Sequence, residues 1–188
     1  NFFWREFEDK IQDQSLRNPD TGRVEQSPIN AGDAFLRGVE FDFRRNMAAF
    51  GLENLKLTGN LTFTDTELDE TGKPLEKTVE LFSDLGFEYT YPAWNTSVGA
   101  TWSYTGESDS AKLEGQETED ETSDAFSTVD AFVRIEPYDG WTVTLTGQNL
   151  FEAEQDEIKR KVKPGEIELE DKTKSFSRLI LLSVTRRF

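Results

Sequence analysis

Apolar and polar residues alternate one by one along most of this chain. In AFLRGVEFDFRRNM (34–47), Val39, Phe41 and Phe43 take one side of an extended strand, and Glu40, Asp42 and Arg44 take the other. Successive side chains of a strand point to opposite faces, so period two predicts strand rather than helix. The same rhythm sets Leu55, Leu57, Leu61 and Phe63 against Lys56, Thr58, Asn60, Thr62 and Thr64. It continues through Val79, Leu81, Leu85, Phe87, Tyr89 and Tyr91, with Glu88 on the other side. Trp94, Val98, Ala100, Trp102 and Tyr104 then oppose Asn95, Ser97, Thr101, Ser103 and Thr105. Val129, Ala131, Val133 and Ile135 oppose Asp130 and Arg134; Trp141, Val143 and Leu145 oppose three threonines; and Ile180, Leu182 and Val184 close the series. The opening segment, 1–13, has strand composition but poor alternation. The pattern predicts about eight strands and no helix.

These strands run to about 10–14 residues, longer than the usual 5–6 of soluble sheets and close to the 9–11 needed to cross a bilayer. The face opposite the apolar one is rich in Thr, Ser, Asn and Gly. That suits an apolar exterior around a wet interior, although a soluble barrel with an apolar interior gives the mirror pattern. Connection lengths separate the two. PA (92–93) and YDG (138–140) are short and MAAFGLEN (47–54) is of medium length, whereas 13–32, 65–77, 107–124 and 153–172 are long. Short and long joints alternate, as short periplasmic turns and long external loops do in outer-membrane barrels. Tyr91, Trp94, Tyr138, Trp141 and Phe188 fall at the short-turn end, where an interfacial girdle would sit, with Trp102, Tyr104 and Phe176 toward the other end.

Composition narrows the chemistry. The chain has 188 residues, a net charge of −16, 12% aromatics and neither Cys nor His. An acidic disordered chain would lack such aromatics. Without His or Cys the commonest general base and the thiol nucleophile are missing, so an enzyme is not expected. No signal segment and no run of about 20 apolar residues is present. Nothing basic suggests a nucleic-acid partner, and no cofactor is expected.

NAGDAFLRGVEFDF (30–43), GQNLFEAE (147–154) and the terminal SVTRRF (183–188) together resemble the C-terminal part of a TonB-dependent outer-membrane receptor. The resemblance implies an all-β, antiparallel up-and-down meander, the last eight or so strands of a barrel of about 22 with a plugged lumen. Residues 1–188 would then be a partial barrel domain, with plug and TonB-box segments outside it. It also implies the outer membrane of a Gram-negative bacterium and TonB-energised uptake of a scarce ligand: a siderophore-iron chelate, cobalamin or an oligosaccharide. Partners would be outer-membrane lipid and lipopolysaccharide, the barrel-assembly machinery, and TonB through the absent N-terminal region. Phe188 with Val184, Leu182 and Ile180 would form the barrel-assembly signal; Arg186 departs from it, standing where an apolar residue is commoner. The rival reading is a complete eight-stranded outer-membrane protein with a structural or adhesive role.

Three charged groups remain as candidate chemistry. Glu40, Asp42, Arg44, Lys56, Glu88, Asp130 and Arg134 would face the lumen or the plug, with salt links to the plug favoured over ligand contacts. Asp109, Glu117, Glu119, Asp120 and Glu121 could hold a hard cation, but they lack calcium-loop spacing, and a solvated external loop is the favoured reading. Lys159, Arg160, Lys161 and Lys163 could meet lipopolysaccharide phosphates, or form a self-compensating hairpin with the acidic run after them, which is favoured. Strands cut from a wide barrel should give an open, curved sheet with 1–13 and 175–188 as its edges.

Overall fold

The computed structural model describes residues 1–17, 24–69, 72, 74–75, 78–114, 117–163 and 166–187. Fifteen strands follow in chain order: β1 (Phe2–Phe7), β2 (Ile11–Arg17), β3 (Val24–Asn30), β4 (Ala34–Met47), β5 (Leu52–Leu68), β6 (Thr78–Val79), β7 (Leu81–Tyr91) and β8 (Thr96–Thr105). Then come β9 (Ser108–Glu114), β10 (Glu117–Ser123), β11 (Phe126–Ile135), β12 (Trp141–Gln148), β13 (Glu154–Lys163), β14 (Glu166–Ser175) and β15 (Leu179–Arg186). Eight of them form one antiparallel sheet in the order β1-β4-β5-β7-β8-β11-β12-β15. These are the seven segments that the alternation marks out and the opening segment read from its composition, each paired with its neighbours in the meander. The sheet is open: β1 and β15 are its edges, and no ladder joins them among the described residues.

The register carries the alternation across the whole sheet. Val39 stands opposite Phe63, Leu85 opposite Trp102, Val133 opposite Val98 and Leu145, and Leu182 opposite Leu145. Because pairing keeps side-chain parity, one face becomes continuously apolar and the other polar. The short joints are tight. Ala48–Phe50 and Pro92–Trp94 form single 3₁₀ turns, closed by Gly51 (φ 79°) and Asn95 (φ 45°) in the left-handed region, which Gly and Asn enter most readily.

Phenylalanine lies over glycine at three cross-strand pairs: Phe3 with Gly38, Phe43 with Gly59 and Phe132 with Gly99. A Cβ at any of these glycines would run into the ring. The ring thus covers backbone that the glycine leaves bare.

The long connections correct the expectation of loops. Three of the four are strand hairpins: β2 with β3, β9 with β10, and β13 with β14. Segment 1–13 is likewise two strands, broken at 8–10, with Asp9 in the left-handed region (φ 50°). The latter two hairpins join as a second, five-stranded sheet in the order β14-β13-β10-β9-β6. The period-two signal was masked there because charged residues occupy one face and mixed residues the other. A small core at this end packs Ala34, Leu68 and Leu75 with Phe7 and Ala31.

Candidate functional site

The apolar face is bare on every strand of the large sheet. Phe2, Phe41, Phe63, Leu85, Phe87, Trp102, Val133, Leu145 and Leu182 are all exposed, Leu182 at 69%. Among the described residues no second layer covers them. Soluble monomers rarely expose apolar patches beyond about 300–600 Å², and burial of apolar surface is what drives folding in water. A face of this kind needs an apolar partner along its whole width. Among the described residues no helix is long and apolar enough to cross a membrane, so any crossing would be by strands.

Aromatic side chains gather toward both ends of this face. At the short-turn end Tyr91 packs between Tyr89 and Trp94, with ring centroids 4.5 and 5.8 Å away. Tyr138 stands exposed in its turn, and Trp141 lies under the Arg186 guanidinium at 5.2 Å. At the other end Trp102 stacks with Tyr104 at 5.9 Å, and Trp4 stacks with Phe35 beneath Arg37. Trp4 and Phe35 lie in segments where alternation was weak or mixed with charge, which is why the sequence did not single them out.

The opposite face brings the expected charges together only in part. Lys56 and Glu88 are register partners and form an ion pair at 3.5 Å. The Asp130 carboxylate accepts the Asn149 backbone N–H at 2.8 Å. The Arg134 guanidinium lies 5.3 Å from the Phe132 ring, and Glu40 accepts from Asn1. Asp42 and Arg44 instead line a hollow of about 360 Å³ with Thr58, Asn60, Asp84, Gly86 and Thr101. Among the described residues no ion pair or side-chain hydrogen bond engages Asp42, Arg44 or Asp84. Asn60 Oδ1 is buried there without a donor. Gly86 creates the hollow, because a Cβ there would approach the hydroxyls of Thr58 and Thr101. Asp84 and Gly86 escaped notice because neither stands out in a polar, alternating strand.

The second sheet resolves the two charged segments. Asp109 lies on β9 and Glu121 on β10, so the acidic segment is paired strand, not the solvated loop expected of it. Lys159 stands opposite both Glu121 and Glu170, Lys161 opposite Glu119 and Glu168, and Glu157 opposite Lys172. Lys159 Nζ bridges Glu121 at 3.0 Å and Glu157 at 3.4 Å, and Lys174 pairs with Glu157. Glu157 is only 2% exposed. Its hydrogen bond from Lys174, aided by that charge and by Lys159, outweighs burial and holds its carboxyl below the ordinary value. Glu121 similarly raises Lys159, against burial. The basic run is therefore the self-compensating hairpin. The side chains of Glu117, Glu119, Asp120 and Lys163 lie outside the described residues, as does Phe188. Of the terminal signature, Ile180, Leu182 and Val184 share the apolar face of the edge strand β15, with Val184 paired to Val143.

A family model described as TonB dependent receptor-like, beta-barrel, matches residues 1–150. Comparison with curated proteins and with solved structures gives no match.

Proposed function

Because this chain belongs to the TonB-dependent receptor-like β-barrel family, we propose that it is the C-terminal wall of a receptor that takes up a scarce ligand across the outer membrane of a Gram-negative bacterium. The family supports an outer-membrane receptor or transporter in general. The finer reading is uptake energised through TonB. The ligand class stays open between siderophore-iron, cobalamin and an oligosaccharide. No covalent chemistry is proposed for the wall.

The observation that carries this reading is the one-sided, uncovered apolar face running across eight consecutive antiparallel strands. In lipid every backbone polar group must find an internal partner, which a closed strand ladder provides. The open edges at β1 and β15 favour a segment of a wider barrel over the rival eight-stranded protein, whose first and last strands would pair. On this reading Tyr91, Trp94, Tyr138 and Trp141 form one interfacial girdle, and Trp102 with Tyr104 belongs to the other. Glu40, Asp42, Arg44, Lys56, Glu88, Asp130 and Arg134 face the lumen or a plug, where the unpaired Asp42, Arg44 and Asn60 Oδ1 would find partners. Ile180, Leu182 and Val184, with Phe188, serve the barrel-assembly machinery. Lipid covers the apolar face. Contact between the Lys159–Lys163 run and lipopolysaccharide is disfavoured, since Lys159 is already engaged by two carboxylates.

Single cysteines in this Cys-free chain test the reading in the full-length receptor. Spin labels at Leu57, Phe87, Trp102, Val143 and Leu182 should be relaxed by a lipid-soluble quencher, and labels at Thr58, Thr101 and Thr144 by a water-soluble one. The reverse accessibility would make this a soluble barrel with an apolar interior. Ligand uptake by the receptor should also stop when TonB is deleted.

A further inference from the structure

Arg186 breaks the apolar series Ile180, Leu182, Val184 that it continues along β15. The register places it opposite Trp141, and its guanidinium lies 5.2 Å from the indole centroid. Both residues therefore sit on the apolar face, at its short-turn end. On β4, Arg45 holds the matching position after Val39, Phe41 and Phe43, opposite Leu57. The far end of the same face carries Glu6, Asp65 and Glu67 instead, with Arg37 tied to Asp65 at 2.6 Å. Within the paired strands of this face, both charges at the short-turn end are basic and three of the four at the far end are acidic. Of the acids near the short turns, Glu136 and Asp139 lie in the turn beyond the strand ends, and Glu53 lies in the stretch where the β4–β5 register slips.

We propose that Arg186, held against Trp141, binds the phosphate of an anionic phospholipid in the leaflet at the short-turn end. This rests on the reading of the sheet as a membrane-spanning wall. An indole at the interface keeps its ring in the acyl region and its N–H toward the headgroups. A guanidinium on its face is partly desolvated yet still presents a planar fork of donors suited to a phosphate. Arg186 has a further interaction besides the ring, and five donors allow it to hold more than one partner. The acids at the far end of this face do not oppose this binding. Carboxylates at the far end lie well beyond the screening length of about 8 Å. One arginine near an anionic surface strengthens binding by roughly fivefold.

Native mass spectrometry of the full-length receptor in mild detergent tests this with phosphatidylglycerol, phosphatidylcholine and glycerol 3-phosphate as added probes. Phosphatidylglycerol should bind roughly fivefold more tightly than phosphatidylcholine. Arg186→Leu should remove that preference, and Arg186→Lys should keep part of it. Leucine continues the apolar series, so this variant should assemble, and heat-modifiable migration in gels checks that it has. Equal binding of the two lipids, an unchanged preference in Arg186→Leu, or glycerol 3-phosphate binding as well as the lipid would each overturn the proposal. A wild-type receptor that fails to show heat-modifiable migration in the membrane fraction would sink the membrane reading itself. An inserted receptor without headgroup preference sinks only this inference.

Discussion

Asn149 ties together three parts of the chain that are far apart in sequence. Its backbone N–H donates to Asp130 on β11, its Nδ2 to the Phe176 carbonyl before β15, and its Oδ1 accepts from Ala153 N. The residue is buried and adopts φ 46°, a left-handed conformation that asparagine tolerates better than most. Asn149→Ala would leave the Phe176 carbonyl and the Ala153 N–H without these partners. Each such loss costs about 1–3 kcal/mol when the group stays buried. The expected outcome is a clear fall in the urea midpoint of the purified protein, followed by tryptophan fluorescence. Asn149→Gly should relieve the backbone strain without restoring the bonds, and so recover little. The side chain is what makes the knot, and GQNLFEAE shows only its letters, not its partners.

At the scale of elements, the five-stranded sheet is held by charge as much as by its ladders. Glu157 is the centre, with its carboxyl lowered chiefly by the hydrogen bond from Lys174, against burial, and helped by Lys159. A carboxyl lowered in the folded state contributes stability that is fully present above its unfolded value. That contribution is lost as pH falls through the folded value. The window therefore lies below the ordinary 4.5. Amide protection factors, corrected for the intrinsic pH dependence of exchange, should fall on β10, β13 and β14 as pH drops below this point, while those of the eight-stranded sheet change less. In Glu157→Gln this part of the pH dependence should vanish; if it persists, another carboxylate is responsible. Lys159 has the opposite sign. Its raised value keeps its contribution at low and neutral pH and releases it only in strong alkali.

At the scale of the whole molecule, the large sheet is left with two open edges. β15 is exposed along its entire length, and β1 is its counterpart on the far side. An unpaired, apolar edge is a template for further strands. The 188-residue piece alone should therefore associate in detergent as its concentration rises, as read by light scattering. A lysine at Leu181, on the polar face of β15, should reduce that association by placing charge along the edge. A piece that stays monomeric at all concentrations would mean that the edges find some other partner.

Period two determined seven of the eight wall strands and which of their residues share a face; the first strand was read from composition. Pairing parity is fixed by covalent geometry, so Leu57, Phe87 and Leu182 had to fall together once the meander was granted. The short joints were legible for the same reason, since Pro, Gly and Asn set the turn. Only the tertiary structure decided the rest. It turned the charged connections into paired hairpins, because Lys159 reaches Glu121 on another hairpin and Lys174 reaches Glu157 across its own, which no local pattern reveals. It set Phe3, Phe43 and Phe132 over glycines one strand away, and it opened the hollow at Gly86 across four strands. It also left β1 and β15 apart. Closure depends on strand number and stagger, which are properties of the sheet as a whole and of no single strand.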